Sequence, residues 1–476
     1  MFANKFEIFL KLKIARGQAN WEIETERHKL LREFLFSIKN WTGQLPNLRN
    51  IFRTKEMDRL LTEIIDFTST HRGIEKLGER FIKFVISTGY KDKPDVDVDG
   101  KPLLHRTTPI NHEKTQGADD SHFRITRALL FKIYDRFDVN YVHPESGRTH
   151  FHVACNFDIA NVAEKFLELG QDPNCLEQLS LIDPPLHTAV SSWANPGIVD
   201  LLLRNGADPN LANKDGLTPL HVIARSAFFE GYVAIVFFDI IDTNQLTVQV
   251  DARDNSGRTP LQWAVLNVSP GIVEELLDNG ADLSRFTFPT ESDFDEKYLN
   301  YCGDYESRLN IVTRLGTVIA VLEKRGYELD QSAFLTIKKL FIKYNWFADS
   351  EDLQRSLRDE EFVREAKKVM WNSSLSFYDV IQLSPTEAAK LFTLTDYIKF
   401  KYSKEYFRLP IRIGQFIHEH LCEIVSRRFV PSGWAVESFR ELIHYRLPIE
   451  CCEMIFEHLS SQDLYNINVA AGNPDS

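Results

Sequence analysis

The 476 residues, 43% hydrophobic and 26% charged, exclude a disordered or fibrous chain. They also exceed a single hydrophobic core, since such cores stop growing near about 250–300 residues, so several domains are expected. A net charge of −12 argues against nucleic acid as the main partner, because phosphate binding needs a strong basic footprint.

Residues 1–75 read as an N-terminal helical region. Lys5, Lys11 and Lys13 interrupt the apolar residues Phe6, Ile8, Phe9 and Leu10, so no signal-peptide core forms and secretion through a standard signal is not expected. Residues 1–89 hold 16 Lys and Arg against 11 Asp and Glu, a balance of +5, which leaves −17 for the remainder. That sign reads as a solvated helix face, with a basic docking patch as the alternative. The longest apolar run, Tyr232–Phe238, falls far short of the roughly 18 residues of a membrane helix. No membrane partner is expected, and the expected location is cytoplasmic or nuclear. The six cysteines, Cys155, Cys175, Cys302, Cys422, Cys451 and Cys452, form no CxxC pair and read as reduced thiols.

From residue 76 onward one pattern recurs. Thr108-Pro109-Ile110-Asn111, Thr149-His150-Phe151-His152, Pro184-Pro185-Leu186-His187, Thr218-Pro219-Leu220-His221 and Thr259-Pro260-Leu261-Gln262 follow one another at steps of 41, 35, 34 and 41 residues. Thr at a helix start accepts a hydrogen bond from an orphan N–H, and Pro one place later has a φ suited to the first turn. The following Leu or Phe packs inward, while Ala154, Ala189, Ala224 and Ala264 let neighbouring helices approach closely. Each unit ends at a Gly (Gly170, Gly206, Gly280) placed for a left-handed helix end, followed by Asp or Asn for the turn. Apolar sets such as Ile198, Val199, Leu201, Leu202 and Leu203, or Ile272, Val273, Leu276 and Leu277, read as the second helix of each pair. Phe81–Val85 with Thr88-Gly89 reads as half of a further unit, an N-terminal cap of the kind a solenoid needs.

On these residues, 76–288 resembles an ankyrin-repeat array. The resemblance implies an all-α fold, an ankyrin-repeat solenoid, that binds a protein partner on its concave face and hairpin tips and performs no chemistry. The candidate contacts are then the loop residues Arg148, Lys214, Arg253 and Arg258 and the aromatics Trp193, Phe228, Phe229 and Trp263. A tryptophan on a repeat helix also suits the core, so the aromatic assignments have a structural alternative.

Pro289–Lys297 is rich in Asp, Glu, Ser and Thr, and residues 289–307 read as a linker. A helical connector over 308–369 follows, and a helical module is expected over 370–471, with a short tail at 472–476. Helical patterns cover Asn310–Lys324, Ser332–Tyr344, Glu360–Met370, Pro385–Phe392 and Pro410–Phe429. Within Leu447–Leu464, Pro448 suits a first helical turn and Glu450 favours the helix N-terminus. Cys452, Ile455, Phe456 and Leu459 fall at i, i+3, i+4 and i+7, one expected apolar face, and Asp463 is placed to start the next helix.

The run Leu447-Pro448-Ile449-Glu450, then Ile455-Phe456, Leu459 and Asp463-Leu464 resembles the opening of an F-box. With Ser374–Ile381, His420–Glu423 and Trp434–Glu437, residues 370–471 resemble the PRANC domain, the F-box-like C-terminus of poxvirus and hymenopteran ankyrin proteins. The resemblance implies a substrate-recruiting subunit of a cullin-type ubiquitin ligase that binds a Skp-type adaptor through Leu447, Pro448, Glu450, Ile455, Phe456, Leu459 and Leu464. The alternative is that this run packs its own domain's core. Only 12 residues follow Leu464, too few for the third helix of a full F-box.

No Gly-rich phosphate loop, GxSxG elbow or HExxH motif occurs, so no enzyme, cofactor or metal is expected. His418 and His420, two apart, point to different helix faces rather than to one ion. Cys451-Cys452 reads as a buried thiol pair, with no adjacent cation to favour thiolate. Two further functions remain open on the sequence: an ankyrin scaffold or inhibitor that sequesters a signalling protein, and an effector exported to act in other cells.

Overall fold

The computed structural model describes residues 3–39, 45–70, 75–112, 120–175, 182–191, 196–226, 231–294, 305–344, 346, 358–371, 374–383, 387–388, 391–392, 396, 423, 432–456 and 459–471. The fold is all-α. Among the described residues no strand forms, and extended pairing is limited to isolated bridges such as Val96 with Pro102. The chain divides into two compact units, Met1–Ile223 with Val236–Gln249, and Ala224–Ile235 with Val250–Ser476.

The first unit opens with α1 (Ala3–Gln18), α2 (Glu24–Lys39), α3 (Thr54–Thr70) and α4 (Glu75–Ser87). In α3, Met57, Leu60, Leu61, Ile64 and Ile65 repeat at i, i+3, i+4, i+7 and i+8 and are all buried, the stripe that makes an amphipathic helix worth forming. They face Leu30, Leu31 and Phe34 of α2 and Phe81, Ile82 and Val85 of α4, also buried. Phe34 is the hub: its ring lies 5.4 Å from Phe52, 5.1 Å from Phe81 and 6.0 Å from Phe84. Arg16 on α1 is held to Glu56 at 2.6 Å, and Arg27 on α2 pairs with Glu63.

Beyond α5 (Asp120–Leu130), the repeats begin with α6 (His150–Asn156) and α7 (Ala160–Glu168), then α8 (Pro185–Ser191) and α9 (Pro196–Arg204). First helices stack on first helices (α6 on α8) and second on second (α7 on α9), as the small Ala154 and Ala189 allow. Gly170 and Gly206 end the second helices with φ of 86° and 88°, the left-handed region where a side chain would be strained. The hairpins beyond them are stitched by asparagines. Asn174 donates to Gly206 O at 2.9 Å and accepts from Asp208 N at 2.8 Å, and Asn210 does the same with Thr247 O and Gln249 N at 2.8 and 2.6 Å. The next helices, α10 (Pro219–Arg225) and α11 (Tyr232–Thr243), are each divided between the two units.

The Thr108 segment departs from the expected repeat. Thr108 and Asn111 bond reciprocally, with Thr108 N donating to Asn111 Oδ1 at 2.7 Å, but residues 109–111 form only a turn. The next described helix is Asp120–Leu130.

In the second unit, α12 (Pro260–Leu266) packs on α13 (Pro270–Asp278), and α13 on α14 (Tyr305–Lys324). There follow α15 (Gln331–Lys343), α16 (Glu360–Lys368), α17 (Phe377–Ile381), α18 (Ser432–Leu442), α19 (Ile449–Phe456) and α20 (Ser461–Ala470). Leu266 and Val268, at the end of a repeat helix, share one apolar core with Phe294, Val312, Leu340, Trp346, Phe377 and Phe456. The expected break after residue 288 therefore falls inside a shared core. The start of the expected linker is packed: Thr290 caps a short turn with Asp293, and Phe294 is buried. The patterns over Pro385–Phe392 and Pro410–Phe429 lie largely outside the described residues.

Val268 adopts φ 49°, the turn position that Asp158 (φ 51°) fills between α6 and α7. A β-branched residue there costs about 1–2 kcal/mol. Burying its side chain contributes about 1.5–3 kcal/mol, which offsets the strain. Arg314 of α14 fixes the turn by donating to Val268 O at 2.8 Å.

Candidate protein-binding surfaces

In the motifs that open with Thr149, Thr218 and Thr259, the fourth residue bonds back to the threonine where the helix starts. Thr259 N donates to Gln262 Oε1 at 3.0 Å while Gln262 N donates to Thr259 Oγ1 at 3.3 Å, a capping box that satisfies two orphan donors. Thr218 N donates to His221 Nδ1 at 3.1 Å in the same way. Where Pro184 replaces Thr, neither an N–H nor a hydroxyl is available, and the buried Nδ1 of His187 has no hydrogen-bond partner among the described residues. That ring is held instead through Nε2, which donates to Leu217 O at 2.8 Å.

Burial makes His150 and His152 neutral scaffold groups. It pushes His150 down to about 3, helped by Arg106 and Arg127, and His152 down to about 4, helped by Arg148. Unfolded imidazoles titrate near 6.5, so below about pH 6.5 the unfolded chain binds protons that the folded chain refuses. Stability is full above that value and falls as the pH drops toward 4, by about 1.4 kcal/mol per pH unit for each histidine. His152→Gln keeps a cap of the Gln262 type and removes one histidine's share of that slope. Urea midpoints across pH check this, and identical slopes in variant and parent would contradict it.

The candidate contact residues of the repeats fall into three situations. Lys214, on a turn, and Arg253, just before one, are exposed, Arg253 donating to Gly257 O at 2.7 Å. Arg148 is half-buried, its guanidinium 5.9 Å from the Phe157 ring centre. Arg258 and Trp263 come together: the Trp263 ring is half-buried between the guanidinium groups of Arg258 at 5.1 Å and Arg225 at 4.9 Å. Trp263 Nε1 donates to Asp254 at 2.8 Å, and Arg258 pairs with Asp293 at 2.7 Å. Sequence reasoning missed Arg225; its signal is a cation in the last turn of the helix preceding Trp263. Trp193, Phe228 and Phe229 lie outside the described residues.

The Leu447–Leu464 run is split between core and surface. Phe456 (1% exposed) and Leu464 are buried, Leu459 packs on the same core, and the Phe456 ring meets Phe439 edge-on at 5.5 Å. Leu447 (36% exposed), Pro448, Glu450 and Ile455 (38%) lie at the surface. The expected face of Cys452, Ile455, Phe456 and Leu459 is thus divided: Cys452 and Phe456, one turn apart, point inward, and Ile455 points out. Ile449 and Met454 (66% exposed) extend the apolar surface. Of the vicinal thiols, Cys452 is buried but Cys451 is exposed, a difference from the expected buried pair that follows from their adjacent places on the helix. Ser460, rather than Asp463, caps α20: Ser460 N donates to Asp463 Oδ2 at 2.9 Å and Asp463 N to Ser460 Oγ at 3.1 Å. Glu423, also buried, accepts from Ser461 N at 2.8 Å and Ser461 Oγ at 2.9 Å.

Among the described residues, no group of three His, Cys, Asp or Glu side chains gathers as a metal site, and no helix is long and apolar enough to cross a membrane. Comparison with known proteins finds the family "Ankyrin repeats (3 copies)" over residues 186–287. Neurogenic locus notch homolog protein 1 of Mus musculus is 35% identical over 153 residues, 32% of this chain and 6% of that protein. Neurogenic locus notch homolog protein 2 of Homo sapiens is 31% identical over 173 residues, 36% of this chain and 6% of that protein. The chain thus matches a small part of each relative's length. The repeat period, the caps, the glycine-ended second helices and the family match agree: residues 186–287 are ankyrin repeats, a class of protein-binding module.

Proposed function

We propose that this protein is a non-catalytic adaptor: its ankyrin repeats hold one protein, and its C-terminal module over 370–471 presents that protein to a Skp-type adaptor of a cullin-type ubiquitin ligase. The observation that carries the reading is the exposure of four large apolar side chains, Leu447, Ile449, Met454 and Ile455, on α19 and the residues leading into it, while Cys452 and Phe456 of α19 are buried. A cluster of large exposed apolar side chains on one short segment favours a protein partner. In this reading Leu447, Pro448, Glu450 and Ile455 touch the adaptor, while Phe456, Leu459 and Leu464 act by holding α19 and α20 in place. On the repeat side, Arg148, Lys214, Arg253, Arg258 and Trp263 are the contacts for the held protein, Trp263 being the aromatic anchor. Titration of the full chain with a purified Skp-type adaptor tests the ligase half. Leu447→Ala combined with Ile455→Ala weakens capture by at least about tenfold. Undiminished capture would rule out this interface.

A scaffold or inhibitor that simply sequesters a protein is the second reading, favoured by the restriction of the notch similarity to about a third of the chain. Cutting after Phe288 does not separate the two, because Phe288 packs on the core that Leu266 and Val268 share with the C-terminal helices. The full-length double variant does: sequestration survives loss of the Leu447 surface, whereas ligase recruitment does not.

A further inference from the structure

We propose that the groove between α1 and α2, continued beside α4, docks an acidic amphipathic helix of a partner protein. Two cavities meet there. One of about 470 Å³ is lined by Leu12, Ile14, Ala15, Arg32 and Phe36, among others, and one of about 210 Å³ by Leu35, Phe36, Ile38, Leu77 and Arg80. The larger is within the roughly 300–1,000 Å³ of pockets that bury a ligand.

Phe36 belongs to both cavities and is 71% exposed; Leu10 and Ile14, one turn apart on α1, are also exposed. A phenylalanine left that open beside a concave apolar floor is a contact surface rather than a core residue. Its charge surroundings choose the partner. Arg16 and Arg27, on the same two helices, are neutralised by Glu56 and Glu63. Arg32 and Arg80, which line the groove, are exposed and have no ion pair among the described residues. Lys13 and Lys76 are exposed nearby in sequence and likewise have no ion pair among the described residues; among the described residues, Glu33 is the one acidic residue lining either cavity. A helix with bulky apolar side chains at i, i+3 or i+4 and i+7 fills two adjoining cavities, and Asp or Glu on its flanks meets Arg32 and Arg80. A membrane surface shares the cationic and apolar preference, but a flat bilayer does not enter a concave floor.

The test uses the full chain and two labelled designed helices, identical in their Leu positions, one with Glu and the other with Lys on the flanks. Anisotropy titrations are expected to give at least tenfold tighter binding of the Glu helix, weakening as salt is raised. Phe36→Ala lowers that affinity about tenfold or more, and because Phe36 is exposed the fold is unaffected, which circular dichroism verifies. Arg32→Glu with Arg80→Glu reverses the preference toward the Lys helix. Equal affinity for both helices, absence of saturable binding, or full binding by Phe36→Ala overturns the proposal. So does flotation with anionic vesicles that leaves the Glu helix unbound, or a doubling of mass in light scattering that Phe36→Ala abolishes without any helix present.

Discussion

Replacing Arg106 with alanine lowers the stability of the first unit by about 3–5 kcal/mol, the expected cost of leaving buried carboxylates without their cation. Arg106 donates to Asp92 Oδ1 at 3.0 Å and through Nε to Asp58 Oδ2 at 3.0 Å, with only 11% of its side chain exposed. Tyr134 donates to Asp58 at 2.5 Å and Tyr141 to Asp92 at 2.6 Å, so each carboxylate has two partners and depends on one guanidinium for charge. Burial opposes the Arg106 charge, yet the two carboxylates outweigh it and push its pKa further up. Burial also pushes the Asp58 carboxyl above its usual range, against the pull of Arg106 and Tyr134. Without Arg106 that upward push has less opposition, so the folded variant keeps a proton that the unfolded chain releases above about 3.9. A folded state that binds more protons than the unfolded one loses stability as the pH rises. The deficit of Arg106→Ala relative to the parent is therefore largest near neutrality and shrinks on acidification. Taking the difference cancels the His152 slope, and His150, which Arg106 helps push down, loses part of its slope in the variant and so adds to the same shrinkage on acidification. Amide exchange in α3 across pH measures it, and a deficit that stays constant with pH would refute the assignment to Asp58.

That cluster also marks the limit of what the sequence discloses. Thr149, Thr218 and Thr259 with their following residues announce helix starts because the capping chemistry is local, and Gly170, Gly206 and Gly280 announce helix ends for the same reason. Asp58, Asp92 and Arg106 sit 34 and 14 residues apart, with no periodicity to link them; only the fold makes them one network. Likewise, an apolar pattern on α19 reveals that Cys452, Ile455 and Phe456 prefer burial, not which of them obtains it. Helical geometry resolves the ambiguity: Cys452 and Phe456 are one turn apart and reach the core through Phe439, and Ile455 is turned away. Val268 inverts the usual inference, since its left-handed φ suits glycine or asparagine and its type announces a strand or a core. Its shared core with Ile311 and Leu315 supplies the reason, and that long-range packing is invisible in the local pattern.

Phe456→Ala and Ile455→Glu, adjacent on α19, are expected to fail in opposite ways. Phe456 is buried against Phe439 and shares its core with Cys452 and Leu464, so truncation opens a cavity and costs about 3–5 kcal/mol in the second unit. Loosening that core frees α19 and α20 together, since α18 packs on both. Ile455 is exposed, and a surface substitution of this kind changes stability by about 0.5 kcal/mol or less. A carboxylate placed in the middle of an apolar contact surface, however, must be desolvated on binding without a partner, which costs several kcal/mol and abolishes capture of a Skp-type adaptor. Thermal unfolding of both variants, with adaptor titration at a temperature where each is folded, separates the two roles. Retained adaptor binding by Ile455→Glu would leave the ligase reading without its surface, and a large loss of stability in that variant would place Ile455, not Phe456, against the core.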